Sequence, residues 1–156
     1  MHQKLSERGV DVLVIDHHEA EKVSDYACVI NNQLCNYPTK SLSGVGMVYK
    51  FCQLIDEVMD YDYADYYLDL VALGMIADMM DLRDFETKHL INVGIKHIVN
   101  PFFAGMVNKN AYSLGDDITP IGVAFYIAPY VNATIRMGTP EEKKIMFESM
   151  LEYKAH

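Results

Sequence analysis

The sequence predicts an α/β fold, a parallel sheet flanked by helices, and three observations carry that prediction. The run Val-Asp-Val-Leu-Val-Ile at residues 10–15 reads as a buried parallel strand, and a shorter run at 27–31 reads as a second. Long stretches with helical spacing and clear caps follow, the pattern expected where helices cover a parallel sheet. The third observation is the triplet directly after the first strand: Asp16, His17 and His18. Ligand sites in open α/β sheets gather at the carboxyl ends of strands. Adjacent histidines in a regular strand point to opposite faces, so these two converge only where the strand has ended and the backbone turns.

Residues 3–8 read as the last turn of a helix, with Gly9 as its C-terminal cap and the strand beginning at Val10. Residues 33–41, with Pro38, read as loop. Ser43 caps a helix whose apolar positions Val45, Val48, Cys52, Ile55 and Met59 recur at threes and fours and are expected to form its buried face. Gly44 and Gly46 in its first turn leave backbone N–H groups open to an anion. The Tyr- and Asp-rich stretch at 60–67 covers the surface and leads into a helix over 68–77. That helix is apolar nearly all round, so it should be buried on every side. An amphipathic helix over 86–99 is stopped by Asn100-Pro101, and 102–117 are expected to be irregular. Thr119-Pro120 opens a short helix that ends near Ala128-Pro129. Thr139-Pro140-Glu141-Glu142 is a capping box that starts a last helix running to the chain end, as a connector to another domain would.

The 156 residues are 51% hydrophobic, enough for the core of one domain. A formal charge of −9 leaves no overall basic field for nucleic acid, so any such binding has to use a local groove. Cys28, Cys35 and Cys52 are odd in number and lack CxxC spacing, which fits free thiols in a reducing compartment. No run approaches the ~18 apolar residues of a membrane span, and the start has no apolar core of signal-peptide type. The expectation is a soluble cytoplasmic protein with no membrane partner.

Four groups of residues could carry chemistry. Imidazole with carboxylate, as in Asp16, His17 and His18, suits Mn²⁺, Fe or Zn; the alternative is a hydrogen-bonded, inert strand end. Asp78 ends the wholly apolar helix, where its charge opposes the helix dipole and must lose hydration unless a cation or donors compensate. The alternative for Asp78 is a solvated helix end, and Asp81 and Asp84 read as solvated loop residues. Asn132 and Arg136 form a third group, since Arg matches a pair of phosphate oxygens, although one Arg before a Gly turn also fits plain surface. Ser43 and Gly44, at a helix start, are the fourth.

Taken together these segments resemble the RecJ-type single-strand-specific exonucleases of the DHH phosphoesterase superfamily. Val14-Ile15-Asp16-His17-His18-Glu19 matches the name-giving motif, and residues 42–50, Leu-Ser-Gly-Val-Gly-Met-Val-Tyr-Lys, match the helix that follows it. Residues 68–78, ending in Ile76-Ala77-Asp78, look like the family's late aspartate motif. Residues 127–136 look like its Pro-Arg-Ile-Asn-Ala-Ala-Gly-Arg segment. The resemblance implies a metal-dependent phosphodiesterase, with two Mn²⁺ or Mg²⁺ ions, that cleaves nucleotides from a single-stranded DNA end. Carried over, His17 and Asp78 would ligate metal, His18 would contact the scissile phosphate and Asp16 would orient the histidines. Asn132 and Arg136 would contact phosphate or the strand, with Ser43 and Gly44 as further anion contacts.

The chain also departs from the family pattern. The family's two earlier aspartate motifs have no counterpart ahead of the DHH strand, and its second, substrate-clamping domain is absent. Tyr130 stands where the family has Arg, Thr134-Ile135 replaces Ala-Gly, and Arg83-Asp84-Phe85-Glu86 replaces a Glu-Asn-Arg stretch. Residues 1–138 are therefore expected to be the C-terminal two-thirds of a DHH catalytic domain truncated at its N-terminal edge, and 139–156 the start of a connector helix. The isolated chain should have little or no activity. It should self-associate or join a partner that supplies the missing motifs. Two rivals remain at this point: a phosphoesterase for short oligonucleotides, cyclic dinucleotides or pyrophosphate, and a non-catalytic interaction module or half of a split protein.

Overall fold

The structure, a computed structural model, describes residues 1–20 and 22–151. Its architecture is α/β: a two-stranded parallel sheet sits at one side of a larger helical layer. A one-turn helix α1 (His2–Ser6) closes on Gly9, whose φ of +73° is the left-handed cap expected there. Strands β1 (Leu13–Asp16) and β2 (Cys28–Asn31) pair in parallel, Leu13 opposite Cys28 and Asp16 opposite Asn31. The first strand begins three residues later than Val10, because β2 offers no partner before Cys28.

Helix α2 (Gly44–Met59) starts at the Ser43 cap, and α3 (Leu68–Ala77) follows a 3₁₀ turn at Ala64–Tyr67. α3 has no exposed residue; Ala72, Leu73 and Met75 are the centre of the core, with Leu42, Phe103, Val123 and Ile127 around them. α4 (Phe85–Lys96) packs against α3 at backbone distance: a Cβ built on Gly94 would collide with the Leu68 carbonyl oxygen and the Ala72 methyl. α2 crosses α3 almost as closely, since a Cβ on Gly74 would lie 2.5 Å from Val45 Cγ1.

Several sequence expectations need correction. The buried side of α2 is Gly46, Met47 and Tyr49, whereas Val48, Ile55 and Met59 of the expected stripe are exposed. α4 ends at Lys96, and not near residue 99, because the Asp69 carboxylate takes the N–H groups of Val99 and Asn100 at 2.9 and 2.7 Å. Asp69 is almost fully buried at the start of α3, and these donors satisfy a charge that would otherwise be costly there. Residues 102–117 are not irregular: α5 (Pro101–Lys109) and α6 (Ala111–Leu114) occupy most of them. Asn100-Pro101 ends nothing; the Asn100 side chain caps α5 by accepting the Phe102 N–H at 3.0 Å, with Pro at the first turn. α7 (Pro120–Tyr126) gives way at Ile127 to a separate helix, α8 (Ala128–Met137), which has Pro129 in its first turn. α9 (Pro140–Met150) carries the reciprocal Thr139–Glu142 capping box; the expected run to the chain end falls outside the described residues after 151. Among the described residues no single helix is long and apolar enough to cross a membrane.

Candidate functional site

The chain turns where β1 ends, and the Asp16 carboxylate makes the turn. Its Oδ1 accepts the N–H of His17 at 2.8 Å and, less closely, that of His18 at 3.4 Å. The same oxygen lies 2.7 Å from His18 Nδ1, so an ionised Asp16 requires the proton on that nitrogen. The bond to the His18 side chain, and then those to the two backbone N–H groups, outweigh partial burial and hold the Asp16 carboxyl below its usual range. The two imidazole rings lie with centroids 4.2 Å apart, tilted by 45°. Metal-binding atoms of Asp16, His17 and His18 all fall within 4.8 Å of one another.

Asp78 reaches the same place from the end of α3. It is the C-cap of α3, and its Oδ2 stands 4.0 Å from His17 Nε2, with the two side chains 50% and 17% exposed. The helix ends in a Schellman turn: Met80 N–H bonds the Met75 carbonyl at 3.1 Å and Met79 N–H the Ile76 carbonyl at 3.0 Å. Met79 takes the left-handed position at φ 55°, a place usually held by Gly, so the chain leaves α3 sharply just after Asp78. Two donors that share a cation at about 2.1 Å each lie at most ~4.2 Å apart. An imidazole and a carboxylate at 4.0 Å are therefore within reach of one divalent ion, close to that limit.

The other expected residues distribute unevenly. Gly44, at the start of α2, abuts His17: a Cβ there would meet His17 Cδ2 at 3.6 Å. Ser43 is fully buried, and its Oγ accepts the Gly46 N–H, so the structure gives it the cap of α2 and no open face toward an anion. Asn132 donates from Nδ2 to the Ala77 carbonyl at 3.1 Å, next to Asp78. Arg136, four residues on and on the same face of α8, is exposed and forms no ion pair among the described residues.

Sequence reasoning missed Asn31. It ends β2 opposite Asp16, is 4% exposed, and donates from Nδ2 to the His18 carbonyl at 2.9 Å. The available signal was a polar residue closing a second apolar run, as Asp16 closes the first. An open groove of about 850 Å³ runs from His17 past Lys40, Met79 and Arg83. Lys40 Nζ is tied to the Asn32 and Cys35 carbonyls, and Arg83 is forked onto Asp81, whose carboxyl that contact pulls down to about 2. The loop bordering this groove is fastened to the start of α4: Asp81 N–H donates to Ser41 Oγ at 2.6 Å, and Thr87 Oγ1 donates to the Ser41 carbonyl.

The turn of adjacent histidines at the end of β1 lies within residues 1–75, which match the DHH family, N-terminal domain. Over nearly its whole length the chain is also similar to RecJ-type exonucleases. It is 45% identical over 151 residues to the SPbeta prophage-derived YorK of Bacillus subtilis, whose name assigns it provisionally as a single-strand DNA-specific exonuclease. That match covers 96% of this chain and 26% of YorK. The single-stranded-DNA-specific exonuclease RecJ of Bacillus subtilis is 31% identical over 94% of this chain and 19% of its own length, and that of Thermus thermophilus 29% over 90% and 21%. The chain thus spans about a quarter or less of these relatives.

Proposed function

We propose that this chain forms part of the catalytic domain of a metal-dependent phosphodiesterase acting on single-stranded DNA in the manner its relatives' names describe. The observation that carries the reading is the 4.0 Å approach of His17 Nε2 to Asp78 Oδ2, between two segments sixty-one residues apart (78 − 17). Divalent ions of the Mn²⁺ or Mg²⁺ kind would offset phosphate charge and make water a stronger nucleophile. His17 and Asp78 would hold one such ion. His18, with Nδ1–H given to Asp16, would donate to a phosphate oxygen from Nε2 when that nitrogen also carries a proton, and Asp16 keeps the ring in place. Gly44, lacking a side chain beside His17, leaves room for the substrate's phosphate at the start of α2. Arg136 remains available for the strand. The open groove beside His17 would take the adjoining nucleotide, with Lys40 near its wall.

His17 and Asp78 supply too few ligands for two cations, so the chain on its own should cleave poorly or not at all. A Mn²⁺-dependent assay on 5′-labelled single-stranded DNA tests this. Background-level cleavage by this chain is expected, together with activity from a version extended to the length of its relatives that falls by at least ~10³ on His17→Ala. Robust cleavage by the chain alone, lost on His17→Ala, would overturn the inactivity. An active extended version indifferent to His17→Ala would overturn the site.

A further inference from the structure

We propose that Asn31 and Asn132 are positioning residues that set the His17–Asp78 separation, one from each side; this deepens the metal-site reading and rests on it. Both asparagines use the same device, an amide N–H on a main-chain carbonyl at or beside a site residue. Asn31 Nδ2 bonds the His18 carbonyl at 2.9 Å while its Oδ1 accepts the Gln33 N–H at 2.8 Å, so the buried end of β2 is stapled to the turn after β1. His17 is thereby fixed at both ends: Asp16 holds its N–H, and Asn31 holds the carbonyl of the next residue.

Across the site the problem differs. The Schellman turn takes the Met75 and Ile76 carbonyls at the end of α3, and the carbonyl of Ala77, the last residue of the helix, is left for a partner outside it. Asn132, in the middle of α8, takes that of Ala77 at 3.1 Å, immediately before Asp78. Asn132 therefore connects the site to α8 as a brace, with one of its two amide hydrogens committed to that contact. Neither asparagine carries charge, so neither changes the field at the site. What they fix is distance, and partners standing behind metal ligands typically shift affinity by about 10–100-fold.

Mn²⁺ titration of the chain, read as loss of the free-ion electron paramagnetic resonance signal, tests this together with the thermal midpoint in EDTA. Asn31→Ala and Asn132→Ala should each weaken Mn²⁺ binding by about 10-fold or more at a temperature where both remain folded. Asn132→Gln, which keeps an amide donor, should recover part of the loss. Asn132→Ala, at a half-buried position on α8, carries the test if Asn31→Ala does not fold. A lower metal-free midpoint with unchanged Mn²⁺ affinity would mean a purely structural role and overturns the proposal. Failure of the unmodified chain to bind Mn²⁺ is a different result, which removes the metal-site reading and the proposal with it.

Discussion

The Asp16 carboxylate organises the N–H groups of His17 and His18 and the His18 ring, and its acid–base behaviour gives a test with a definite sign. Its folded value lies below the ordinary 3.8, chiefly through the bond to His18. The stabilisation is therefore fully present above the unfolded value and is lost as pH falls through the lower folded value. Asp16→Asn should lower the denaturation midpoint at neutral pH, with the difference from wild type closing only in strongly acid solution. A difference unchanged down the whole acid range contradicts the account. His17 and Asp78 were legible as candidates because their residue types conflict with their surroundings: histidines at a strand end, and a carboxylate where the helix dipole opposes it. Asn31 was not legible, since its role comes from the register that sets it opposite Asp16, and register is not written in a four-residue run. Ser43 was read correctly as a cap, yet its complete burial, which leaves it no face toward an anion, depends on how α2 packs.

Helices α3 and α4 pack through glycine, and Gly94→Ala should cost about 2–3 kcal/mol by forcing the two apart. Thermal denaturation checks this, and a loss under half a kcal/mol, of the order of ~0.5, would mean the helices yield easily. The left-handed Met79 offers the opposite sign. Met79→Gly relieves the strain of a side chain at φ 55°, partly offset by glycine's greater freedom when unfolded, for a net gain of about 0.5 kcal/mol. A destabilised variant would show that the Met79 side chain holds the turn by contacts. At this scale α3 was readable to the residue because an unbroken apolar stretch has only one place to go. α2 was misread because it carries apolar residues on more than one side, so periodicity alone could not say which side the core takes. Asn100-Pro101 misled for another reason: the same pair reads as the stop of one helix or the cap and first turn of the next, and Asp69, far away in sequence, decides.

The molecule leaves much apolar surface in water. Val48, Leu54, Ile55, Val58 and Met59 line the outside of α2, Leu13 in β1 and Val10 ahead of it are exposed, and among the described residues β1 pairs on one edge only. Uncovered apolar faces and open strand edges favour association, so sedimentation velocity should show species larger than monomer that grow with concentration. A single monomeric boundary throughout would contradict this. The α/β class and the order of the principal elements were legible from the pattern of runs and caps. The meeting of residues 17 and 78 was legible only through family resemblance, because it depends on how the chain between them folds. That meeting is most directly tested by a Mn²⁺-binding double-mutant cycle, measured by calorimetry, on wild type, His17→Ala, Asp78→Ala and the double variant. Groups that grip one ion should each lose about 10-fold or more in affinity alone, and the double variant should lose little beyond the worse single. Two losses that simply add, or no loss in either single variant, would show that the imidazole and the carboxylate do not share a cation.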